Sequence, residues 1–259
     1  MKGSLKIDAA FIPREVCKSH NPLCILIDAV RASCTIAAFF DKGAEEIVLI
    51  EDEHAYVRAH PEALSPVCCI CAEKLDGSRA ELAEVSPSLR ELYGCGSFQG
   101  RRVLFRTTNG SIGIRSLGEQ GIGNILIGSL LNCDAVAKAA VDLAVAKGMN
   151  LCTVCAGREH GNIYCIDDTY CAGVLIRSME AYARSLGYEP DLQDSAKIAY
   201  NVVEAYADAE EAYRNSASGE IMRRLGSEQD LALCSRKDVT RVVPRVSRID
   251  EEGNVTITI

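Results

Sequence analysis

The segment that most constrains the fold is residues 23–36, LCILIDAVRASCTI, where an unbroken apolar run meets its first charge at Asp28 and passes into a helical pattern. A short apolar run bounded in this way reads as a strand buried on both faces, the habit of a parallel sheet. Arg31 and the hydroxyls of Ser33 and Thr35 follow, giving a strand, a polar turn and a helix start. In open α/β sheets ligands sit beyond the carboxyl ends of the strands, so Asp28 and Arg31 fall where a substrate would be met. The structural alternative is a buried aspartate paired with its own arginine.

The phrase recurs. RVLFR at 102–106 reads as a strand and TTNGS at 107–111 as a polar turn, followed by a helix, Gly121 and a strand at 124–127. Residues 28–50 have the same order, with a helix from about 33 to 41 closing on Gly43 and a strand at 46–50. Together they predict two equivalent strand–turn–helix–strand units, with both polar turns at the same edge of a sheet. Asn109-Gly110 permits positive φ, and free N–H groups at a helix start suit a phosphate or carboxylate; an ordinary capped turn has the same look.

A third strand, 151–155, ends in CAGREHGN at 155–162, and Asp167-Asp168 open a helix reaching about 186. Acidic residues in a first turn complement the helix dipole; beside an arginine turn they equally suit a hard cation such as Mg²⁺. A strand at 66–71 delivers Glu73 to its carboxyl end. Elsewhere the pattern predicts a strand within 4–12, a polar turn at 20–22, a helix at 52–60 and a loop at 76–86. Ser86-Pro87-Ser88 reads as a cap with proline at the first helical position. A helix at 132–147 is capped by Asn132 and ended by Gly148. Asp194-Ser195 caps one long helix to about 214, a short helix covers 219–225, and 242–259 forms a hairpin. No linker-like stretch intervenes, so residues 1–259 read as a single α/β unit, or as two pseudo-equivalent halves meeting near 130–150.

A formal net charge of −8 argues against nucleic acid or an anionic membrane as partner. An anionic substrate must then be drawn in by a metal or a local arginine. The start lacks a signal-like apolar region and no run approaches spanning length, so a cytoplasmic location is expected. The thirteen cysteines are odd in number and scattered, and read mostly as small buried hydrophobes. Cys152-x-x-Cys155 with His160, Cys165 and Cys171 admits a zinc reading, but lies in a strand-like run without the usual second pair. Cys155 reads as a structural or site-lining thiol, because Arg158 is too close in sequence to complete the longer phosphate loop of cysteine phosphatases.

A colinear set of motifs resembles the 2-phosphosulfolactate phosphatase family, the ComB-like proteins of coenzyme M biosynthesis. It comprises LIDAVRASCTI at 26–36, Glu73, SPS at 86–88, TTNGS at 107–111, NCDAVA at 132–137, CAGREHG at 155–161, DDTYCAG at 167–173, and Asp238 with VVP at 242–244. The resemblance implies a three-layer α/β/α fold with two related, closely packed halves and Mg²⁺-dependent hydrolysis of the phosphate ester of a small 2-hydroxy acid. The type reaction converts 2-phosphosulfolactate to 3-sulfolactate and phosphate. Alternatives are another substrate such as phospholactate or phosphoglycolate, or a non-catalytic anion-binding relative.

Residue by residue, the resemblance marks Asp28, Arg31, Ser33, Glu73, Thr107, Thr108, Asn109, Gly110, Gly157, Arg158 and Asp168. On this reading Asp28, Glu73, Asp167 and Asp168 hold Mg²⁺. Arg31 and Arg158 grip the acid groups, the 108–110 turn donates N–H bonds, and Ser33, Thr107, Cys155 and Gly157 line the substrate. Cys34, Ala72, Ser111 and Asp167 stand where the family usually has threonine, glycine, threonine and glutamate, and 76–85 lacks a glycine-rich character. A homodimer is the base-rate expectation.

Overall fold

The structure is a computed structural model that describes residues 3–74, 78–107 and 109–259. Its centre is one mixed sheet of ten strands. In chain order these are β1 (Ser4–Ala10), β2 (Pro22–Ile27), β3 (Glu46–Ile50), β4 (Cys68–Cys71), β5 (Arg102–Arg106), β6 (Ile125–Ile127), β7 (Asn150–Cys155), β8 (Glu189–Leu192), β9 (Arg245–Ile249) and β10 (Val255–Thr258). Across the sheet they stand in the order β4-β5-β3-β10-β9-β6-β2-β7-β1-β8. Helices flank it in a three-layer α/β/α arrangement, and among the described residues no helix is long and apolar enough to cross a membrane.

Among the described residues ten α-helices connect the strands: α1 (Ala32–Asp41), α2 (Glu53–Ala59), α3 (Leu89–Gly94), α4 (Gly110–Glu119), α5 (Cys133–Lys147), α6 (Ile166–Ser185), α7 (Asp194–Glu204), α8 (Ala209–Arg214), α9 (Ala217–Arg224) and α10 (Gln229–Cys234). The apolar run that ends at Asp28 is β2, buried along its whole length between parallel neighbours β6 and β7. Burying its four Leu and Ile side chains, at roughly 1.5–3 kcal/mol each, offsets the cost of carrying Asp28 into the interior. Strands β3, β4 and β5 alternate instead. Their odd-numbered residues join the main core, whereas Val48, Ile50, Ile70 and Leu104 face a smaller cluster with Ala63 and Ala80.

The two predicted units are β2-α1-β3 and β5-α4-β6, and their strands exchange. β2 pairs with β6, and β3 with β5, both parallel. Each unit therefore starts in one half of the sheet and ends in the other. Three successive antiparallel steps, β3 to β10, β10 to β9 and β9 to β6, separate the halves, so β5 runs opposite to β2. In a flat sheet the polar turns after β2 and β5 would lie at opposite edges, not at one. They meet nonetheless: a Cβ on Gly110 would lie 3.3 Å from Asp28 Oδ2 and 3.4 Å from Ala32 Cβ. The two halves of the sheet therefore turn toward each other across the hairpin that joins them, in which β10 carries a register shift between Thr256 and Ile257 and β9 meets β6 at a single residue pair. This turn brings the N-termini of α1 and α4 together.

Several local expectations are corrected. The cap of α3 is Ser88, whose Oγ accepts from the Glu91 N–H at 3.3 Å, so Pro87 precedes the cap. Asn132 stands before α5 but turns back to accept from the Ser129 N–H, and the Asp134 N–H is taken by Asp238 from 104 residues away. The long helix after 194 is two helices, because Asp208 caps a new start by accepting from the Glu211 N–H at 2.8 Å. Ser195 does not cap; its hydroxyl donates to Asp8 on β1. Strand β8 and helix α10 were not anticipated. Of the expected 76–86 loop, Asp76 and Gly77 lie outside the described residues. All thirteen cysteines are free, and ten are buried, Cys17, Cys68 and Cys95 being the exceptions.

Candidate active site

Where the two polar turns meet, a cavity of about 730 Å³ opens. Asp28, Arg31, Glu73, Thr107, Asn109 and Arg158 line it, so six residues singled out from sequence come together on one wall system. The first turn is rigidly built: the Asp28 N–H donates to Ser33 Oγ and the Ser33 N–H to the Asp28 carbonyl, both at 2.9 Å. Ser33 thus shapes the turn. Opposite, Ser111 Oγ donates to the Thr107 carbonyl at 3.1 Å, and Gly110 starts α4 with its N–H toward the Asp28 carboxylate. Thr108 lies outside the described residues.

Beyond β7 the chain makes a tight ring. The Arg158 N–H donates to the Ile163 carbonyl at 2.8 Å, and Glu159, His160 and Gly161 all take positive φ. Gly157, at φ +69°, is required here: a Cβ would come within 2.8 Å of the Ile163 carbonyl oxygen. Asp168 ties this ring to the first turn. Its Oδ1 accepts from the Ala29 N–H at 2.8 Å and its Oδ2 from the Gly157 N–H at 3.0 Å. Asp168 therefore holds two loops in register, with both oxygens occupied.

The carboxylates are crowded. Asp28, Asp167 and Asp168 are 8%, 2% and 3% exposed. Burial first, then repulsion from Asp167 and Glu73, pushes Asp28 up from 3.8 to about 7 against the pull of the Ala32 and Gly110 N–H groups. Burial also raises Asp167, and burial with the charges of Asp167 and Asp28 raises Asp168 well above its ordinary value. Asp167 Oδ1 and Asn109 Oδ1 are buried without a hydrogen-bond partner. Unpaired acceptor oxygens among mutually repelling carboxylates fit a hard cation. Among the described residues no three of these carboxylates bring one oxygen each within 4.8 Å of the others; the one set of three His, Cys, Asp or Glu side chains whose ligand atoms lie that close is Cys133, Asp134 and Asp238, outside this cavity. A cation here would rest on one or two carboxylates and water, which is the habit of Mg²⁺.

The two arginines differ. Arg31 is held on both terminal nitrogens, Nη2 by Glu73 Oε2 at 2.6 Å and Nη1 by Asp230 Oδ2 at 2.7 Å. Its partners are Glu73 and Asp230, not the neighbouring Asp28. Arg158 makes no ion pair among the described residues, and its Nε is buried without a partner. Among the described residues Arg31 and Arg224 of this wall are ion-paired, which leaves Arg158 to receive an acid group. Cys155 is fully buried with its thiol pushed well up by burial and by Asp168, so it is a packing residue. Cys152, Cys155, His160, Cys165 and Cys171 form no metal-binding group among the described residues.

Sequence reasoning missed part of the wall. Lys74, His160 and the face of α9 bearing Ser218, Ile221, Met222 and Arg224 also line the cavity. A short amphipathic helix was legible at 219–225, but nothing in its spacing says which cavity it covers.

The profile of the 2-phosphosulpholactate phosphatase family matches residues 10–248. A Deinococcus radiodurans protein named "Probable 2-phosphosulfolactate phosphatase" is 31% identical over 227 residues, 87% of this chain and 88% of the relative. A Thermus thermophilus protein of the same name is 29% identical over 226 residues, 87% and 88% of the two chains. The Methanothermobacter thermautotrophicus protein named "2-phosphosulfolactate phosphatase" is 27% identical over 227 residues, 86% and 85% of the two chains.

Proposed function

Because the chain belongs to the 2-phosphosulpholactate phosphatase family, we propose that it is a Mg²⁺-dependent phosphatase of small 2-phospho-hydroxy acids, with 2-phosphosulfolactate as substrate. The observation that carries this reading is the meeting, at one cavity, of two helix N-termini, an arginine without an ion pair among the described residues and the buried Asp28 carboxylate. Helix starts and a free guanidinium attract an anion; the carboxylates attract the cation that accompanies a phosphate.

Asp28 and Asp167 would hold Mg²⁺, which when bound supplies charge neutralisation at the phosphate and a more acidic bound water. Arg158 grips the phosphate or carboxylate, aimed by the ring that Gly157 permits. The start of α4 presents N–H groups to the opposite side of the ester, with Asn109 beside it. Glu73 lines the cavity, and burial raises its carboxyl, with Arg31 pulling it back. Only Oε2 is bonded among the described residues, so Oε1 accepts the proton of the attacking water. Asp168 and Ser33 hold the turns that carry these groups. Lys74 and Arg224 add positive charge farther along the wall, where a second acid group of the substrate would lie.

The test is phosphate release, with and without Mg²⁺, from 2-phosphosulfolactate, phospholactate and phosphoglycolate. Mg²⁺-stimulated turnover with the highest kcat/KM on the sulfonate is expected. No release from any of the three would reject the phosphatase reading; equal efficiency on all three would reject the sulfonate preference.

A further inference from the structure

Asp230 is 1% exposed and sits on α10, away from the cavity lining. Its Oδ1 accepts from Ser88 Oγ and from the Arg90 N–H, both at 3.0 Å, which anchors it to the start of α3. Its Oδ2 takes Arg31 Nη1 at 2.7 Å. The guanidinium's other arm reaches Glu73 Oε2 at 2.6 Å. A relay therefore runs from α3 through Asp230 and Arg31 to a carboxylate on the cavity wall.

An arginine with one carboxylate partner prefers a two-pronged, parallel contact that engages both oxygens. Here the contact with Glu73 is single, and Nη1, the second prong of an end-on pair, is turned to Asp230. We infer that Asp230 is a positioning residue: by holding one arm of Arg31 it keeps the Arg31–Glu73 contact single and leaves Glu73 Oε1 for the cavity. Without Asp230 the guanidinium, 5% exposed and short of one partner, turns both arms onto Glu73 and draws that carboxylate out of use.

The inference rests on the catalytic part given above to Glu73, and a double-mutant cycle separates the two. Asp230→Asn should lower kcat/KM about 10-fold in the wild-type background and less than about 3-fold in Glu73→Gln, because the second change removes what the first misplaces. Losses that multiply fully would overturn the positioning role. A crystal structure of Asp230→Asn needs no activity: both Glu73 oxygens engaged by Arg31 support the inference, and an unmoved, singly bonded Glu73 refutes it. Should that variant fail to fold, Asp230→Glu keeps the charge while displacing the guanidinium, and the same cycle and the same structure apply. Wild-type turnover in the same assay reports on the phosphatase reading alone. If the wild type is inactive that reading fails, while the position of Glu73 still decides the role of Asp230.

Discussion

The turns after β2 and β5 occupy equivalent places in two copies of one strand–turn–helix device, yet their chemistry is opposite. The first carries charge: Asp28 is crowded by other carboxylates, and Arg31 is locked between Glu73 and Asp230. The second is neutral in its described residues, Thr107, Asn109, Gly110 and Ser111, and offers hydroxyls, an amide and a helix start. A repeated backbone motif thus fixes where polar groups gather, whereas side chains decide whether the place receives a cation or an anion. Meeting at one cavity, the two turns make a site for a pair of opposite charges.

If the charged turn does the chemistry, Asp28→Asn should lower turnover by roughly 1000-fold while the fold persists, read from phosphate release beside far-ultraviolet dichroism. Wild-type rates in that folded variant would erase the distinction between the turns. Next in size is the contrast between the arginines. Arg31→Ala leaves the buried Asp230 and the half-buried Glu73 without their shared cation and should destabilise by about 2–4 kcal/mol in urea melts. Arg158→Ala should leave stability within about 1 kcal/mol and raise KM by about 10-fold or more. The reverse pattern would exchange their roles.

The smallest effect sharpens the electrostatics. In metal-free protein the native state holds a proton on Asp28 that the unfolded chain has lost, between its ordinary 3.8 and about 7. More protons bound in the native than in the unfolded state makes stability fall as pH rises through that window. Asp28→Asn should flatten the fall; identical slopes in the two proteins would show that the native state does not raise Asp28.

What was legible in the sequence is what local chemistry writes. The run ending at Asp28 gave β2, Gly43 and Gly148 marked helix ends, and 242–259 gave the hairpin, because each depends on neighbours a few residues away. The meeting of Asp28, Glu73, Asn109 and Arg158 is the outcome the sequence reading expects, but not by its route: β5 runs opposite to β2, so the turns meet across the two halves of the sheet and not along one edge. The partners of Arg31 were not, for Asp230 lies 199 residues away and its surroundings are ordinary helix sequence. The direction of β5 was equally hidden: periodicity says that a strand is buried, not which way its neighbours run. The break at Asp208 was overlooked although an aspartate three residues before Glu211 is itself a start signal; the helical composition on either side masked it.

The central hairpin has a consequence for biogenesis. β9 and β10 follow every other strand in the chain, yet they occupy the middle of the sheet. Until residues 245–258 are in place the sheet cannot be continuous, because β3 and β6 each lack the neighbour that β10 and β9 supply. A chain cut short before residue 245 therefore has two open strand edges, at β3 and β6, where the whole protein has none, and edge-to-edge association is its expected fate.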